Sequence, residues 1–125
     1  MAGTIVASTL SDGTNSTSTT NCIQGSAKAW ANFNGNNGTV RSSFNISSIT
    51  YNGTGDYTVN FTTAMPNANY SIVGTAGAYL PSDAVRVFGT YFNGTYTTTQ
   101  CRVIVVLNSG GGNNRDIVNF SVFSS

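Results

Sequence analysis

Apolar and polar residues alternate with a period of two in several segments between residue 25 and the end of the chain. In 27–33 and 57–61 the odd-numbered positions are apolar, and Trp30 lies on the opposite face of the first segment. This period is typical of strands that bury one face, whereas a helix repeats every 3.6 residues. The longest predicted strand, 95–107, contains an aliphatic run at 103–106 and is expected to be buried on both faces.

Short turn sequences separate these segments and predict hairpins. Asn52-Gly53-Thr54-Gly55-Asp56 is one hairpin signal and Asn93-Gly94 is a second, two-residue one, because Asn and Gly tolerate a positive φ. No segment shows a helical period, so we expect an all-β domain, an antiparallel β-sandwich of Greek-key or jelly-roll type. About eight strands are predicted, at 27–33, 39–46, 48–52, 57–61, 70–75, 84–92, 95–107 and 116–123.

Residues 1–24 differ from the rest of the chain. Residues 11–21 contain no apolar side chain and predict a linker or an extended surface segment, while 4–10 predict a short strand that pairs elsewhere. We therefore expect a neck or linker at 1–24 and one compact domain at 25–125. The N-terminus lacks the basic region of a secretory signal, and no stretch approaches the roughly 20 apolar residues of a membrane span.

Composition narrows the possible functions. Asn, Thr, Ser and Gly supply 63 of the 125 residues, nine residues are charged, and there is no His and no Glu. A net charge of +1 provides no field for nucleic acid or for an anionic membrane. Without His, the Ser-His-Asp and Cys-His catalytic arrangements are excluded, and two Cys are too few for a zinc cluster. Neither a metal nor another cofactor is expected.

The two cysteines leave an alternative open. Cys22 and Cys101 lie 79 positions apart, so a disulfide between them would close a long loop and stabilise the fold by about 4 kcal/mol. Two free thiols that pack as small apolar side chains are the other arrangement, and we expect this one.

Exposed strand edges pose a problem for this composition. Monomeric β-proteins block their edges with Lys, Pro or inward-pointing charges. This chain has one Lys and two Pro for all its predicted strands. Pairing between copies of the chain, or closure of a sheet into a barrel, would seal the edges, and we expect a homo-oligomer.

Three motifs follow one another in the N-terminal half of the chain: AKAWANFNG at 27–35, RSSFNISSI at 41–49 and NGTGDYTVNFT at 52–62. In this order they resemble the C-terminal domain of tailed-bacteriophage tail fibres, over about 25–68. The resemblance implies a homotrimeric fibre tip on the virion that binds a bacterial surface receptor, with 1–24 as the neck to the upstream fibre shaft. Similar trimeric tips occur on bacterial surface adhesive proteins, so the bacterial cell surface is the alternative location.

Receptor-binding residues are expected in the loops of the C-terminal half, because binding residues concentrate in loops on a rigid scaffold. Aromatic faces suit the C–H surface of an uncharged glycan, and amides suit its hydroxyls. Arginines suit an acidic sugar or a phosphate. The alternative is that Arg86 and Arg115 pair with Asp83 or Asp116. The candidates are Tyr79, Asp83, Arg86, Tyr91, Asn93, Tyr96, Asn108, Asn113, Asn114 and Arg115.

Trp30 allows two interpretations. It could be a platform for a sugar ring, because an indole presents a wide apolar face. Its place within the first resembling motif favours instead a residue of the core or of a subunit interface.

Catalysis is not expected. A glycoside hydrolase needs two carboxylates about 5–10 Å apart. Asp12 lies in the predicted linker and Asp56 in a predicted turn, and Asp83 and Asp116 each have an Arg nearby in sequence that keeps them ionised. A receptor-binding tip is therefore the leading hypothesis. The alternatives are a structural trimerisation cap, a hydrolase that uses Asp83 and Asp116, and, for a monomer, a carbohydrate-binding module.

Overall fold

The computed structural model describes residues 2–77, 86–91 and 96–125. The Asn93-Gly94 hairpin and most of the connection between the predicted strands 70–75 and 84–92 lie outside these ranges. Three candidate binding residues lie outside them as well: Tyr79, Asp83 and Asn93.

Eight strands of the described residues form two four-stranded sheets. The strands of sheet I are β3 (Ala29–Phe33), β4 (Val40–Phe44), β7 (Ser71–Ala76) and β10 (Val118–Phe123). The strands of sheet II are β5 (Ile46–Gly53), β6 (Asp56–Phe61), β8 (Arg86–Thr90) and β9 (Gln100–Leu107). Their orders are β4-β3-β10-β7 and β5-β6-β9-β8, and every neighbouring pair is antiparallel. The all-β prediction is confirmed.

The period of two places side chains as predicted in β3 and β6. The odd-numbered residues of both strands are buried, whereas Trp30 in β3 is exposed, so its interpretation as a core residue is wrong. In β9 the expectation of burial on both faces is also wrong. Val103 and Val105 are fully buried, but Ile104 and Val106 are half-buried, because sheet II packs against sheet I on one face only.

The buried faces of the two sheets form one hydrophobic core, the arrangement of a β-sandwich. Phe33 of sheet I and Tyr57 of sheet II meet at its centre, with ring centroids 5.0 Å apart and ring planes at 74°. Phe120 of β10 packs against the other side of the contact, 6.3 Å from Phe33. Edge-to-face aromatic pairs of this kind add about 1 kcal/mol beyond the burial of their area.

Asn45 carries the chain from sheet I into sheet II. It separates β4 from β5 and has a φ of +56°, in the left-handed region that Asn tolerates better than most residues. Its Nδ2 donates to the carbonyl oxygens of Lys28 and Thr63, at 3.0 and 3.1 Å. Its Oδ1 accepts from the backbone N of Thr63 at 2.7 Å. One side chain therefore ties this corner to the residue before β3 and to the chain after β6.

The N-terminal segment, residues 2–25, is more ordered than expected. β1 (Thr9–Ser11) pairs with β2 (Ser16–Ser18) in a local hairpin, and helix α1 follows at Thr19–Gly25. Residues 11–18 are an extended surface segment, one of the two alternatives expected for 11–21. The expectations of a strand at 4–10 that pairs elsewhere and of no helix were wrong.

Short polar side chains produce this local order. The backbone N–H groups of Asn15 and Thr14 donate to the Asp12 carboxylate, which lowers its pKa and closes the hairpin turn. The Ser18 hydroxyl accepts from the backbone N of Asn21 at 3.1 Å and caps α1. Such hydrogen bonds need no hydrophobic period, so the alternation pattern does not reveal them.

The N-terminal segment contributes nothing to the core. α1 has no buried residue, and Ile5 and Val6 are 91% and 93% exposed. Leu10 and Ile23 are at least half exposed. No helix within the described ranges has the length and apolar character that crossing a bilayer requires.

We expect the replacement Asn45→Ala to destabilise the domain by about 3 kcal/mol, because it removes three hydrogen bonds and places alanine at a positive φ. Asn45→Gly keeps the backbone conformation accessible and should cost less. Urea unfolding of the three proteins measures both effects. Equal stability of the alanine variant and the native chain would show that the corner does not depend on this side chain.

Candidate functional site

The two ends of the sandwich differ in their connections. Three connections meet at one end, which we call the far end: 34–39 after β3, 54–55 after β5, and 108–117 after β9. The N-terminal segment enters β3 at the opposite end, beside Asn45, and we call this the near end. The far end therefore lies opposite the end at which the N-terminal segment joins the sandwich.

Of the seven described candidates, two lie at the near end, where Tyr91 follows β8 and Tyr96 precedes β9. The prediction therefore combined residues from opposite ends of the domain. The other five lie at the far end: Arg86, Asn108, Asn113, Asn114 and Arg115.

Asn114 ties the far-end connections together. Its Oδ1 accepts from the backbone N of Gly55 at 2.8 Å and lies 3.2 Å from the Tyr57 hydroxyl. Its Nδ2 donates to the Tyr51 hydroxyl at 3.0 Å. The Tyr57 hydroxyl also donates to the carbonyl oxygen of Gly35 at 2.7 Å. Asn114 and Tyr57 together hold the β3–β4, β5–β6 and β9–β10 connections against one another.

Gly55 allows the β5–β6 and β9–β10 connections to approach each other closely. Its φ is +70°, and a Cβ at this position would overlap the Val105 carbonyl oxygen and lie 2.5 Å from the backbone N of Asn113. The Asn113 N–H donates to that same carbonyl at 2.9 Å, and Arg86 Nε donates to Asn113 Oδ1 at 2.9 Å. Arg86 thus contacts the β9–β10 connection from the first residue of β8.

Asp116 pairs with Arg41 of β4 rather than with the arginines proposed as its partners from the sequence. The two charged groups are 3.2 Å apart, and more than a third of each side chain is exposed. An exposed pair of this kind contributes at most about 1 kcal/mol. Its charged groups therefore remain within reach of a ligand at the far end.

Tyr51 is an aromatic residue at the far end that the sequence analysis missed. Its side chain is 38% exposed, and its ring centroid lies 6.0 Å from that of Tyr57. Tyr51 pairs directly with Tyr57 across the hairpin that contains Asn52-Gly53. Extending the predicted turn by one cross-strand pair would have placed Tyr51 beside this end.

A second polar cluster lies on the outer face of sheet II and was also missed. Arg102 donates to both carboxylate oxygens of Asp56, with Nε 2.7 Å from Oδ1, and its guanidinium lies 4.8 Å from the centroid of the Tyr91 ring. The hydrogen bonds from Arg102 lower the pKa of Asp56. Asp56 is the first residue of β6 rather than a turn residue, and the pairing of β6 with β9 brings it to Arg102.

Tyr96 packs into the near end. Its ring stacks on that of Tyr70, with centroids 4.8 Å apart and planes at 17°, and burial raises the pKa of both hydroxyls. The Tyr70 hydroxyl lies 2.9 Å from the carbonyl oxygen of Thr97. Tyr96 therefore supports the connection before β9 through its ring.

Both thiols are free, so the disulfide alternative is not met. Cys101 is buried in β9, and burial raises its pKa to about 12, which keeps the thiol protonated and unreactive at neutral pH. Cys22 lies in α1 and is half-buried. Within the described ranges, no three His, Cys, Asp or Glu residues come close enough together to hold a metal ion.

The far end has the chemistry of a surface for polar ligands. It presents the ring of Tyr51, the exposed Asn108 amide and the Asp116–Arg41 ion pair. Comparisons with protein-family models, with curated proteins and with solved structures find no match for this chain. Function is therefore inferred from the geometry and chemistry of the described residues.

The fold should lose stability between pH 10 and pH 12. Burial raises the pKa of Tyr57 from 10.0 to about 12, so its contribution is fully present below pH 10 and is lost as the pH rises through 12. Tyr57→Phe should cost about 1–3 kcal/mol at pH 7, because the Gly35 carbonyl loses its donor. The Tyr57→Phe variant should also lose less folding stability than the native chain as the pH rises. Denaturant unfolding at pH 8 and pH 11 measures this, and parallel pH profiles for the two proteins would contradict it.

Proposed function

We propose that this chain is the receptor-binding tip of a bacteriophage tail fibre. It assembles as a homotrimer of β-sandwiches of Greek-key or jelly-roll type and binds a bacterial surface glycan or outer-membrane component on behalf of the virion. Binding is non-covalent and multivalent, and the tip carries out no catalysis. The observation that carries this proposal is the polarity of the domain, with the N-terminal segment at the near end and five candidate residues at the far end.

The surface chemistry of the far end supports a glycan as the ligand. A sugar ring has C–H faces that pack on an aromatic ring and hydroxyls that pair with amides, which donate and accept equally well. Tyr51, near the end of β5, and Asn108, in the β9–β10 connection, offer both groups at the far end. The hydrogen bonds of Asn114 fix the turns beneath them, so little order has to be gained on binding.

The N-terminal segment supports assembly from several copies. Ile5, Val6, Leu10 and Ile23 are at least half exposed in the single chain, and several of them line one groove with Cys22. A soluble monomer rarely leaves aliphatic side chains grouped in water. Packing between copies would cover them and form the neck of the fibre.

Two related functions remain as alternatives. The chain could be the trimeric tip of a bacterial surface adhesive protein, which has the same architecture at a different location. It could also be a structural cap that only trimerises the fibre. The cap predicts that substitutions of exposed far-end residues leave attachment to cells unchanged.

Light scattering coupled to size exclusion should give a mass near 39 kDa, three times the 13.0 kDa of the chain. The reason is the exposed aliphatic group of the N-terminal segment, which a second and third copy would cover. A stable particle of 13.0 kDa would contradict the trimer and favour a monomeric carbohydrate-binding module.

Replacing Tyr51 and Asn108 with alanine should weaken attachment of the fluorescently labelled chain to bacterial cells by at least about tenfold. A loss of about 1.4 kcal/mol at one site is tenfold, and three linked sites lose together. Flow cytometry on a panel of strains and an array of bacterial polysaccharides measures the binding.

Asn69→Ala is the matched control, because Asn69 is an exposed amide in the connection between β6 and β7, away from the far end. It should bind as the native chain does. Unchanged binding of the Tyr51 and Asn108 variants would instead support the structural cap.

A further inference from the structure

An apolar row crosses the outer face of sheet I. Trp30 pairs with Phe44 on one side and with Ser121 on the other, and Ser121 pairs with Val73. The row therefore runs Phe44, Trp30, Ser121, Val73 from one edge of the sheet to the other. Trp30 is 38% exposed, and Phe44 and Val73 are each 55% exposed. Three large apolar side chains in one cross-strand row form a patch of a kind that marks an interaction surface.

The row has relief. Ser121 is small and lies between Trp30 and Val73, so the two larger side chains form the walls of a groove of about 450 Å³. A flat apolar sheet face would offer no such complementarity. The face therefore has both a ridge and a groove for a partner to match.

The neighbouring row is polar and internally bonded. Asn32 Nδ2 donates to Asn119 Oδ1 at 2.6 Å, and Asn119 Nδ2 lies 3.5 Å from the Thr75 hydroxyl. Arg41 Nη1 donates to Asn32 Oδ1 at 3.3 Å. Both amides already use their oxygen or nitrogen on neighbours, so the row needs few bonds from a partner and can be covered at low cost.

The absence of charge from these two rows favours a copy of the chain as the partner of this face. In a trimer, residues that lie on the rotation axis meet their own copies, so a charge on the axis would meet the same charge. The apolar row and the Asn32–Asn119–Thr75 row contain no charged residue. Amides and hydroxyls can pair with their own copies because each carries a donor and an acceptor. Arg41, on the edge strand β4, is the charged residue bonded to these rows, and it is paired with Asp116. The outer face of sheet II differs, since its Asp56–Arg102 ion pair joins the two central strands β6 and β9.

We infer that the outer face of sheet I is the surface on which copies of this chain pack around the fibre axis. This inference rests on the proposed homotrimer and adds which face lies inside it. Trp30, Phe44 and Val73 then fill the space between subunits, and sheet II faces outward. The second interpretation of Trp30 made from the sequence, a subunit-interface residue, is the one that this placement favours.

The area of the face shows what else the interface must contain. Four strands about 4.8 Å apart and five residues of about 3.4 Å each cover roughly 300 Å². A standard interface takes about 800 Å² from each partner. The face alone is too small, so the interface must include further area, and the exposed aliphatic side chains of the N-terminal segment are the candidates for it. Phe44 lies beside Lys28 in the groove where that segment joins the sandwich.

A sugar is the other occupant that the groove could take, because it has an indole wall. The engaged amides argue against it, since a glycan site needs donors and acceptors that are free for hydroxyls. The two occupants also predict different effects of one substitution. A copy of the chain predicts loss of assembly, and a sugar predicts loss of binding with assembly intact.

Val73→Asp and Val87→Asp form a matched pair that tests the inference. Both valines lie on edge strands and point away from the core, and they are 55% and 46% exposed, but they belong to opposite sheets. Light scattering should show the Val73 variant at the monomer mass of 13.0 kDa at a concentration where the native chain is trimeric. The Val87 variant should keep the trimer mass. Circular dichroism verifies that each variant retains its β-structure.

The single tryptophan gives a readout that needs no substitution. On dilution of the native trimer into monomers, Trp30 emission should shift to longer wavelength and become more accessible to acrylamide, because the indole moves from the interface into water. Phe44→Ser should cause the same shift at higher protein concentration.

Two results would overturn the inference: a Val73 variant that keeps the trimer mass, and Trp30 emission that does not change on dissociation. If the trimeric Val73 variant also loses attachment to cells, the groove is assigned to a glycan. In each case the native trimer survives, so the proposed fibre tip would stand. A native chain that is itself monomeric would overturn the trimer as well.

Discussion

The passage of the chain between the two sheets at Asn45 is the constraint on which the rest of the structure depends. One residue joins β4, at the edge of sheet I, to β5, at the edge of sheet II. Because side chains alternate with a period of two, a slip of one residue here would turn the apolar side chains of β5 away from the core. The bonds from Asn45 to Lys28 and Thr63 oppose such a slip. The packing of Phe33 on Tyr57 requires the register that this corner maintains.

The same corner gives the domain its polarity. Lys28 is held beside Asn45, so β3 begins at the near end and delivers Gly35 to the far end. The hairpin between β5 and β6 also lies at the far end, where Asn114 bonds the β9–β10 connection to the β5–β6 connection. A domain built in this way separates its attachment to a preceding segment from its exposed turns. In the proposed fibre tip, this separation would let one end assemble while the other end contacts a ligand.

The alternation of side chains was sufficient to predict β3 and β6, because burial on one face of a strand follows directly from the sequence. The Asn- and Gly-rich turn sequence at 52–56 predicted the hairpin between β5 and β6, in which Gly55 has the positive φ. The alternation was insufficient for α1, whose start depends on a hydroxyl of Ser18 bonded to a backbone group. It was also insufficient for contacts across long separations, such as Asp56 with Arg102 and Asn114 with Tyr51. The special role of Asn45 was hidden because the chain has 16 asparagines, and only the fold shows which one needs a positive φ.

A copy of the chain packed on sheet I would cover both an unprotected strand edge and the apolar row. In the described residues neither sheet closes into a barrel, and β4 and β7 are the edges of sheet I. Four of the five residues of β4 are exposed, and Arg41 is its one charge, so this edge has little protection against pairing. Phe44 lies on this edge and begins the apolar row. A copy that covers the outer face of sheet I therefore also covers the least protected edge, whereas a ligand the size of a sugar would leave that edge open. The proposed assembly on this face would therefore remove both liabilities at once, in a chain that has few charges with which to protect them.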